Sequence, residues 1–364
     1  MSLLATHLGG RATWTDDRGL PTPACFDLPD REYMALTHEA GLVDFTHGGV
    51  IALSGPENVS FLASLLTNQM KHVTSSRAIY AALLTPQGRF SWDFTVLERK
   101  NRIMLVTEPD RIPALMQRLQ MYVLRTKVEL DNASARFGTI GIVGPKSEEV
   151  ILRALPDFKK VPGELGAVRS YERPVRSGSD KDVKEKLWLW RDPRHAAFGW
   201  RLLVNAAQLP SVWDRLTDAG ATLTGLAAWE HYRIAHGLPR GGSEFIPDVS
   251  LPLESGLLEM HGVDFSKGCY IGQETTTRTH RRDTLKRRLY VVELSGDEST
   301  VMAGAPICLP GGKEVGVLTS MSRLQSQCLG LALLKTEEIR HEERLICGAT
   351  SVTRRAPEWA SWKE

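Results

Sequence analysis

The 364-residue chain carries 45 lysine and arginine residues against 43 aspartate and glutamate residues, with 42% hydrophobic and 24% charged residues. Its length implies two or three compact units, and a net charge of +2 gives no general basis for nucleic-acid or membrane binding. No apolar run reaches the ~18 residues of a membrane span; the cysteines Cys25, Cys269, Cys308, Cys328 and Cys347 are odd in number and lack C-x-x-C spacing, which argues against a secreted disulfide framework and a self-contained zinc or cluster site and for a reducing compartment.

In chain order, Met1–Thr15 holds Arg11, one histidine (His7), hydroxyl residues and no acid. It reads as a short organellar transit peptide or, equally, a loose N-terminal tail. Val50–Leu53 is a predicted strand. Ser54-Gly55-Pro56-Glu57 then opens a helix whose buried face is Phe61, Leu62, Leu65 and Leu66. Strands at Tyr80–Leu84 and Phe90–Leu97 flank the turn Thr85-Pro86-Gln87-Gly88, the pattern of a hairpin. A strand at Arg102–Val106, a helix over Ile112–Val123, and strands near Val128 and at Thr139–Val143 follow without regular βαβ spacing, which predicts an α+β class.

Residues 172–186 are charged and Ser/Gly-rich, with few apolar side chains, and read as an exposed loop. Order resumes at Leu187-Trp188-Leu189-Trp190 and in a strand over Gly199–Val204, and Ala227–Ala235 is a predicted helix ending near Gly237. From Leu289 onward come short β-like runs, Tyr290–Leu294, Val315–Ser320 and Leu329–Leu333, the pattern of a small all-β module.

The densest chemistry lies at Lys267-Gly268-Cys269-Tyr270-Ile271-Gly272-Gln273-Glu274, with Arg278 beyond. Glycines permit backbone conformations and close approaches denied to other residues. Nearby cations favour the thiolate, the form that attacks electrophiles and binds soft metals. The alternative is a buried structural cysteine in a tight turn.

This motif resembles the signature of the YgfZ-type folate-binding proteins, relatives of the glycine-cleavage T-protein aminomethyltransferase. Gly41-Leu42-Val43-Asp44-Phe45-Thr46-His47 and Leu65-Leu66-Thr67-Asn68 are similar to the superfamily's opening segments. Arg233-Ile234-Ala235-His236-Gly237-Leu238-Pro239 and Pro252-Leu253-Glu254 are similar to its central ones. Within the family, Arg191-Asp192-Pro193-Arg194, Gly199-Trp200-Arg201 and Leu251-Pro252-Leu253-Glu254-Ser255 look most like the mitochondrial iron–sulfur cluster assembly branch.

The resemblance implies an aminomethyltransferase-like α+β fold, a ring of three subdomains around a folate-sized channel with a C-terminal Greek-key-like β-barrel. The folate-binding region would span residues 1–285 and the barrel residues 286–364. It further implies a late-acting factor for mitochondrial four-iron–four-sulfur proteins, placed in the mitochondrial matrix or alternatively a bacterial cytoplasm. Its partners would be A-type carrier proteins and the client enzymes, with no nucleic acid and no membrane, and the chain alone would be a monomer. Cys269 would be the metal ligand to a shared iron–sulfur cluster, with Lys267, Gly268, Tyr270, Gly272, Gln273, Glu274 and Arg278 forming its motif. Lys267 and Arg278 would offset cluster charge or be solvated. Tyr270 would pack, and Gln273 and Glu274 would orient the loop.

A folate-dependent one-carbon transferase is the alternative. Tetrahydrofolate would then meet Asp93, Tyr232, Arg233 and Glu254, with Asp93 catalytic. Arg233 and Glu254 could instead form a buried ion pair with each other. The departures are Trp92 within Gly88-Arg89-Phe90-Ser91-Trp92-Asp93, where the aminomethyltransferases carry an acidic doublet, and Ala235 in place of a pterin-gripping glutamate. A pterin is held through charge-assisted bonds to such a carboxylate, so aminomethyl transfer is not expected, and no catalytic activity is assigned. A third reading makes Cys269 a covalent nucleophile, with His261 and His280 the nearest histidines in sequence.

Overall fold

In a computed structural model, Leu187-Trp188-Leu189-Trp190 is buried because this part of the strand Asp182–Arg191 is covered on both faces. Side chains alternate across a strand. Leu187 and Leu189 therefore join a core with Val212, Trp213 and Leu216 of the helix Leu209–Asp218 and Val150 and Ile151 of the helix Ser147–Ala154. Trp188 and Trp190 turn the other way, into a cluster with Val50, Ala52, Leu97 and Met104. The residues described are 2–108, 111–176, 182–282, 285–297, 299–342 and 344–362.

The chain divides into two compact units. The first comprises Met1–Ala63, Gln69–Ala81 and Phe94–Trp229. Its six-stranded sheet runs in the order Val168–Arg176, Asp182–Arg191, Trp200–Asn205, Phe137–Val143, Gly41–Asp44 and Thr222–Thr224, the last pair parallel. A five-stranded sheet has the order Ile79–Leu84, Phe90–Arg99, Arg102–Thr107, Gly49–Ser54 and Glu129–Asn132, and the division between units falls within its first two strands.

Two expectations are corrected here. The stretch 172–186 is not a loop: Val168–Arg176 and Asp182–Arg191 pair antiparallel through Val168↔Trp190 and Tyr171↔Leu187, continuing to Arg176↔Asp182. Residues 177–181 lie outside the described residues. Backbone pairing satisfies such a hairpin without apolar side chains, and the apolar anchor sits at its base. The segment 2–15 is not a loose tail either. Leu4 and Leu8, one turn apart, are fully buried in the core with Trp213 and Leu216, and His7 Nε2 lies 2.8 Å from Asp214 Oδ1.

The second unit comprises Ser64–Asn68, Ala82–Asp93 and Glu230–Glu364. Among its described residues six strands close into a barrel, in the order Arg287–Ser295, Gln327–Lys335, Glu314–Leu324, Pro306–Cys308, Leu345–Cys347 and Thr350–Arg355. Three consecutive hairpin-linked strands with the first strand laid beside the last make this order Greek-key. Tyr290, Val292 and Leu294 point into the barrel core, while Leu289 and Val291 meet Ile234 outside it. Ile234 belongs to the helix Leu226–Ala235, and Gly237 beyond its end takes φ +68°, a left-handed termination that suits glycine.

Leu8→Ala is expected to lower stability by about 2–5 kcal/mol, the usual cost of emptying a well-packed leucine site. The check is a chemical-denaturation midpoint; a midpoint equal to wild type would mean that the segment contributes nothing to the core.

Candidate functional site

Cys269 is exposed at the tip of a loop whose base is tied down on several sides. The Thr67 hydroxyl donates to the Gly262 carbonyl (2.6 Å), and the Thr67 carbonyl accepts from the Asp264 amide (3.0 Å). The Asn68 side-chain amide donates to the His261 carbonyl at 2.7 Å. The Lys267 ammonium donates to the Leu66 carbonyl and lies 4.9 Å from the centre of the Tyr270 ring. Leu65-Leu66-Thr67-Asn68 is thus the clamp of the cysteine loop, a role its sequence did not reveal.

Lys267 is buried, not solvated. Its charge is committed inward to a carbonyl and an aromatic face, so it anchors the loop. Tyr270, expected to pack, is also buried, and burial pushes its phenol up to about 12. Gly268 and Cys269 face outward, and a side chain added at Gly268 would meet nothing. The motif therefore separates into an inward half and an outward thiol.

Gly272 does require glycine. Its φ is +80°, and an added Cβ would stand 2.5 Å from the Thr85 carbonyl oxygen. Gly88, at φ +75°, sits in the hairpin turn opposite, where its Cβ would approach Thr275 at 2.9 Å. Two glycines thus let the turn 85–88 touch the start of the helix Gln273–Arg282. The Gln273 amide donates to the Tyr270 carbonyl at 3.3 Å, and the Thr276 hydroxyl donates to the Gly272 carbonyl at 3.0 Å. Glu274 and Arg278 are exposed on that helix. His280 stacks on Phe265, with ring centres 4.0 Å apart and planes within 3°.

The folate candidates lie elsewhere in this unit. Arg233 does not pair with Glu254. Its Nε and Nη2 grip Glu230 (2.8 and 2.6 Å), Nη1 reaches Glu244 (3.0 Å) and the Leu238 carbonyl (3.2 Å), and Nη2 also donates to Ser320 Oγ (2.9 Å). A guanidinium has five N–H donors, and all are committed within the protein. Burial alone would lower its pKa, but the Glu230 and Glu244 charges hold it above the ordinary arginine range. Glu254 instead accepts from Arg287 Nε (3.1 Å) and Nη2 (2.8 Å). Tyr232 is buried with its ring 4.3 Å from that of His236, and Asp93 and Trp92 are buried. Glu244, almost wholly buried, carried no motif that sequence reading could have singled out.

In the first unit, the Arg191–Arg194 segment forms its own charge cluster. The Asp192 carboxylate accepts from Arg194 Nε at 2.9 Å and Nη2 at 2.8 Å. Burial would raise that carboxyl, but the charges of Arg194 and Arg201 hold it below the usual range. Arg201 is buried over the rings of Phe45 and Trp229, 4.1 and 5.3 Å from their centres, and burial lowers it to about 10.

Among the described residues no three or more His, Cys, Asp or Glu side chains group as a metal site. Comparison with known proteins places these features. Residues 3–264 match the GCVT N-terminal domain, and residues 286–362 match the CAF17 C-terminal beta-barrel domain. The mouse protein named iron-sulfur cluster assembly factor IBA57, mitochondrial, is 31% identical over 85% of this chain and 82% of its own length. The chain belongs to the GCVT family, on its IBA57 branch. The human IBA57 protein is 30% identical, over 80% of this chain and 76% of its own. The glycine cleavage system aminomethyltransferase T of Bartonella henselae superposes with a TM-score of 0.77, covering 99% of this chain and 97% of its own, at 17% identity. That likeness establishes the aminomethyltransferase fold.

Burial lowers the Lys267 ammonium to about 8, against the opposite pull of Asp264, from an ordinary 10.5. Between those values the unfolded chain binds more protons than the folded one, so this group makes stability rise with pH across that window. Lys267→Met should flatten the rise, as read from urea-unfolding midpoints at pH 7.5 and 10. Parallel profiles for variant and wild type would remove the buried charge from the account.

Proposed function

We propose that this chain is a late-acting iron–sulfur cluster assembly factor that supports the maturation of four-iron–four-sulfur proteins. The observation that carries the reading is the outward thiol of Cys269 on a loop otherwise anchored inward, in a chain of the IBA57 branch. The cluster is cargo. Its irons take thiolate ligands, and one exposed thiolate can bind an iron while an A-type carrier protein supplies the remaining sulfurs. The chain acts as a monomer until it meets that carrier and then the client enzymes. A mitochondrial matrix location is consistent with the names of the mouse and human relatives.

The anchoring contacts give the thiol a fixed approach. Thr67, Asn68 and Lys267 hold the loop's base, and Gly272 holds its far end against the turn 85–88. Gly268 keeps the side open on which a partner must come close. Arg278, exposed on the helix that follows, would offset the negative charge of a thiolate-bound cluster.

Tetrahydrofolate is the ligand that the family fold implies, and the residues present do not fit its use in transfer chemistry. Ala235 offers no carboxylate, Arg233 has no donor left, and Glu254 is occupied by Arg287. Asp93 and Tyr232 remain as candidates to line a folate pocket. No transfer step follows from this set.

Anaerobic mixing with a cluster-loaded A-type carrier is expected to give a coloured heterocomplex, and Cys269→Ser should abolish both its visible absorption and its co-elution. The same spectrum and the same complex with the serine variant would falsify the shared-ligand role.

A further inference from the structure

The eleven residues 278–288 contain Arg278, Arg281, Arg282, Lys286, Arg287 and Arg288 against one acid, Asp283. The whole chain has a net charge of only +2, so the remainder of the molecule is net negative. Two of these cations are used internally: Arg287 holds Glu254, and Arg288 lies 4.8 Å from the ring centre of Trp362. Among the described residues the other four have no such contact.

Arg278, Arg281 and Arg282 are exposed on the helix Gln273–Arg282, and Lys286 is exposed just beyond it. Their positions follow helical spacing. Glu274, Arg278, Arg281 and Arg282 stand at i, i+4, i+7 and i+8, which is one face of a helix. Thr276 is buried on the opposite face, and His280 is engaged with Phe265. Among the described residues none of the three arginines has an acidic partner, and the helix starts four residues after Cys269. The stack of Phe265 on His280, together with the contact of Gly272 with the turn 85–88, couples the cysteine loop to this helix as one piece.

We infer that this basic stripe is a docking surface for an acidic protein, the one that brings the cluster to Cys269. The inference rests on the assembly reading above and adds to it the chemistry by which the partner is found. Complementary charge steers encounter and fixes orientation more than it adds affinity, which suits a transient handover. Other occupants fit less well. The helix, Gln-Glu-Thr-Thr-Thr-Arg-Thr-His-Arg-Arg, has no apolar residue to enter a bilayer. Nor does its stripe carry an aromatic platform for bases. Basic residues in a last helical turn also favour the helix dipole; that role is local and independent of any partner, so the two are separable by experiment.

The test follows association of the full-length chain with a cluster-loaded A-type carrier by stopped flow, at low and high ionic strength. Arg281→Glu/Arg282→Glu is expected to slow association about tenfold at low salt, within the range by which electrostatic steering raises on-rates. The difference should shrink towards wild type at high salt, where screening shortens the reach of charge. Because glutamate at a helix C-terminus could unsettle the helix, Arg281→Gln/Arg282→Gln serves as a second variant, with an intermediate rate expected. Once bound, both variants should give the wild-type cluster spectrum. Equal rates for wild type and both variants at low salt overturn the proposal. So does a loss confined to the binding of a single-stranded oligonucleotide or of phosphatidylserine vesicles, which would assign the stripe to nucleic acid or membrane. Failure of the shared-ligand reading is distinct: it appears in the spectrum of Cys269→Ser, whereas failure here appears in the salt-dependent rate.

Discussion

A guanidinium taken out of water has to find acceptors for all its donors, and the second compact unit is organised around that requirement at Arg233. Two carboxylates, a backbone carbonyl and a serine hydroxyl meet it. Glu244 in turn receives the Arg240 amide and the hydroxyls of Thr319 and Ser320. The helix Leu226–Ala235, the segment 238–244 and the barrel strand Glu314–Leu324 are thereby held at one mutual setting. Apolar contact between Ile234 and the barrel's outer face would tolerate sliding; a saturated polar network does not, because each displaced donor is left unpaired at low dielectric. Breaking such a set by removing one charge is costly, although a well-packed apolar replacement of the whole set need not be. The same network accounts for the arginine in the segment that resembles a pterin-binding helix. Its arginine is fully occupied by its own chain.

The cysteine motif shows how one short sequence can serve two environments. Lys267 and Tyr270 face inward, Gly268 and Cys269 face outward, and Gly272 closes the loop against another turn. Polar residues around a thiol suggested activation of that thiol. The geometry gives most of them to positioning instead, and the charge lies on the helix that follows.

Local periodicity was readable from the sequence. The helix over Ile112–Val123, the hairpin about Thr85–Gly88, and the strands at Tyr290, Val315 and Leu329 all lie where spacing put them, since each follows from side chains a few residues apart. What escaped was set by distant partners or by backbone. The hairpin over 168–191 is paired through main-chain groups, which leave no compositional mark. Leu4 and Leu8 did show the i, i+4 signature of a buried helical turn, but two residues are too few to outweigh a polar setting. Glu254 was matched with the wrong arginine because charge alone does not rank Arg287 above Arg233. The clamp on the cysteine loop uses the carbonyls of Leu66, His261 and Gly262, and a carbonyl has no letter in a sequence.

The burial of Leu4 and Leu8 beside Trp213 and Leu216 also bears on the order in which the chain can fold. The strand Gly41–Asp44 takes its neighbours from Phe137–Val143 and Thr222–Thr224. Residues 66–68 wait for residues 261–267. Early segments of both units therefore lack their partners until some two hundred further residues have been added, and contacts of such sequence separation form slowly because loop closure precedes any gain. During synthesis the first apolar segments emerge long before anything exists to cover them. Nascent chains in that condition aggregate readily, so this topology places a premium on protection during translation, and Thr222–Thr224 arrives as the strand that completes the first unit's sheet.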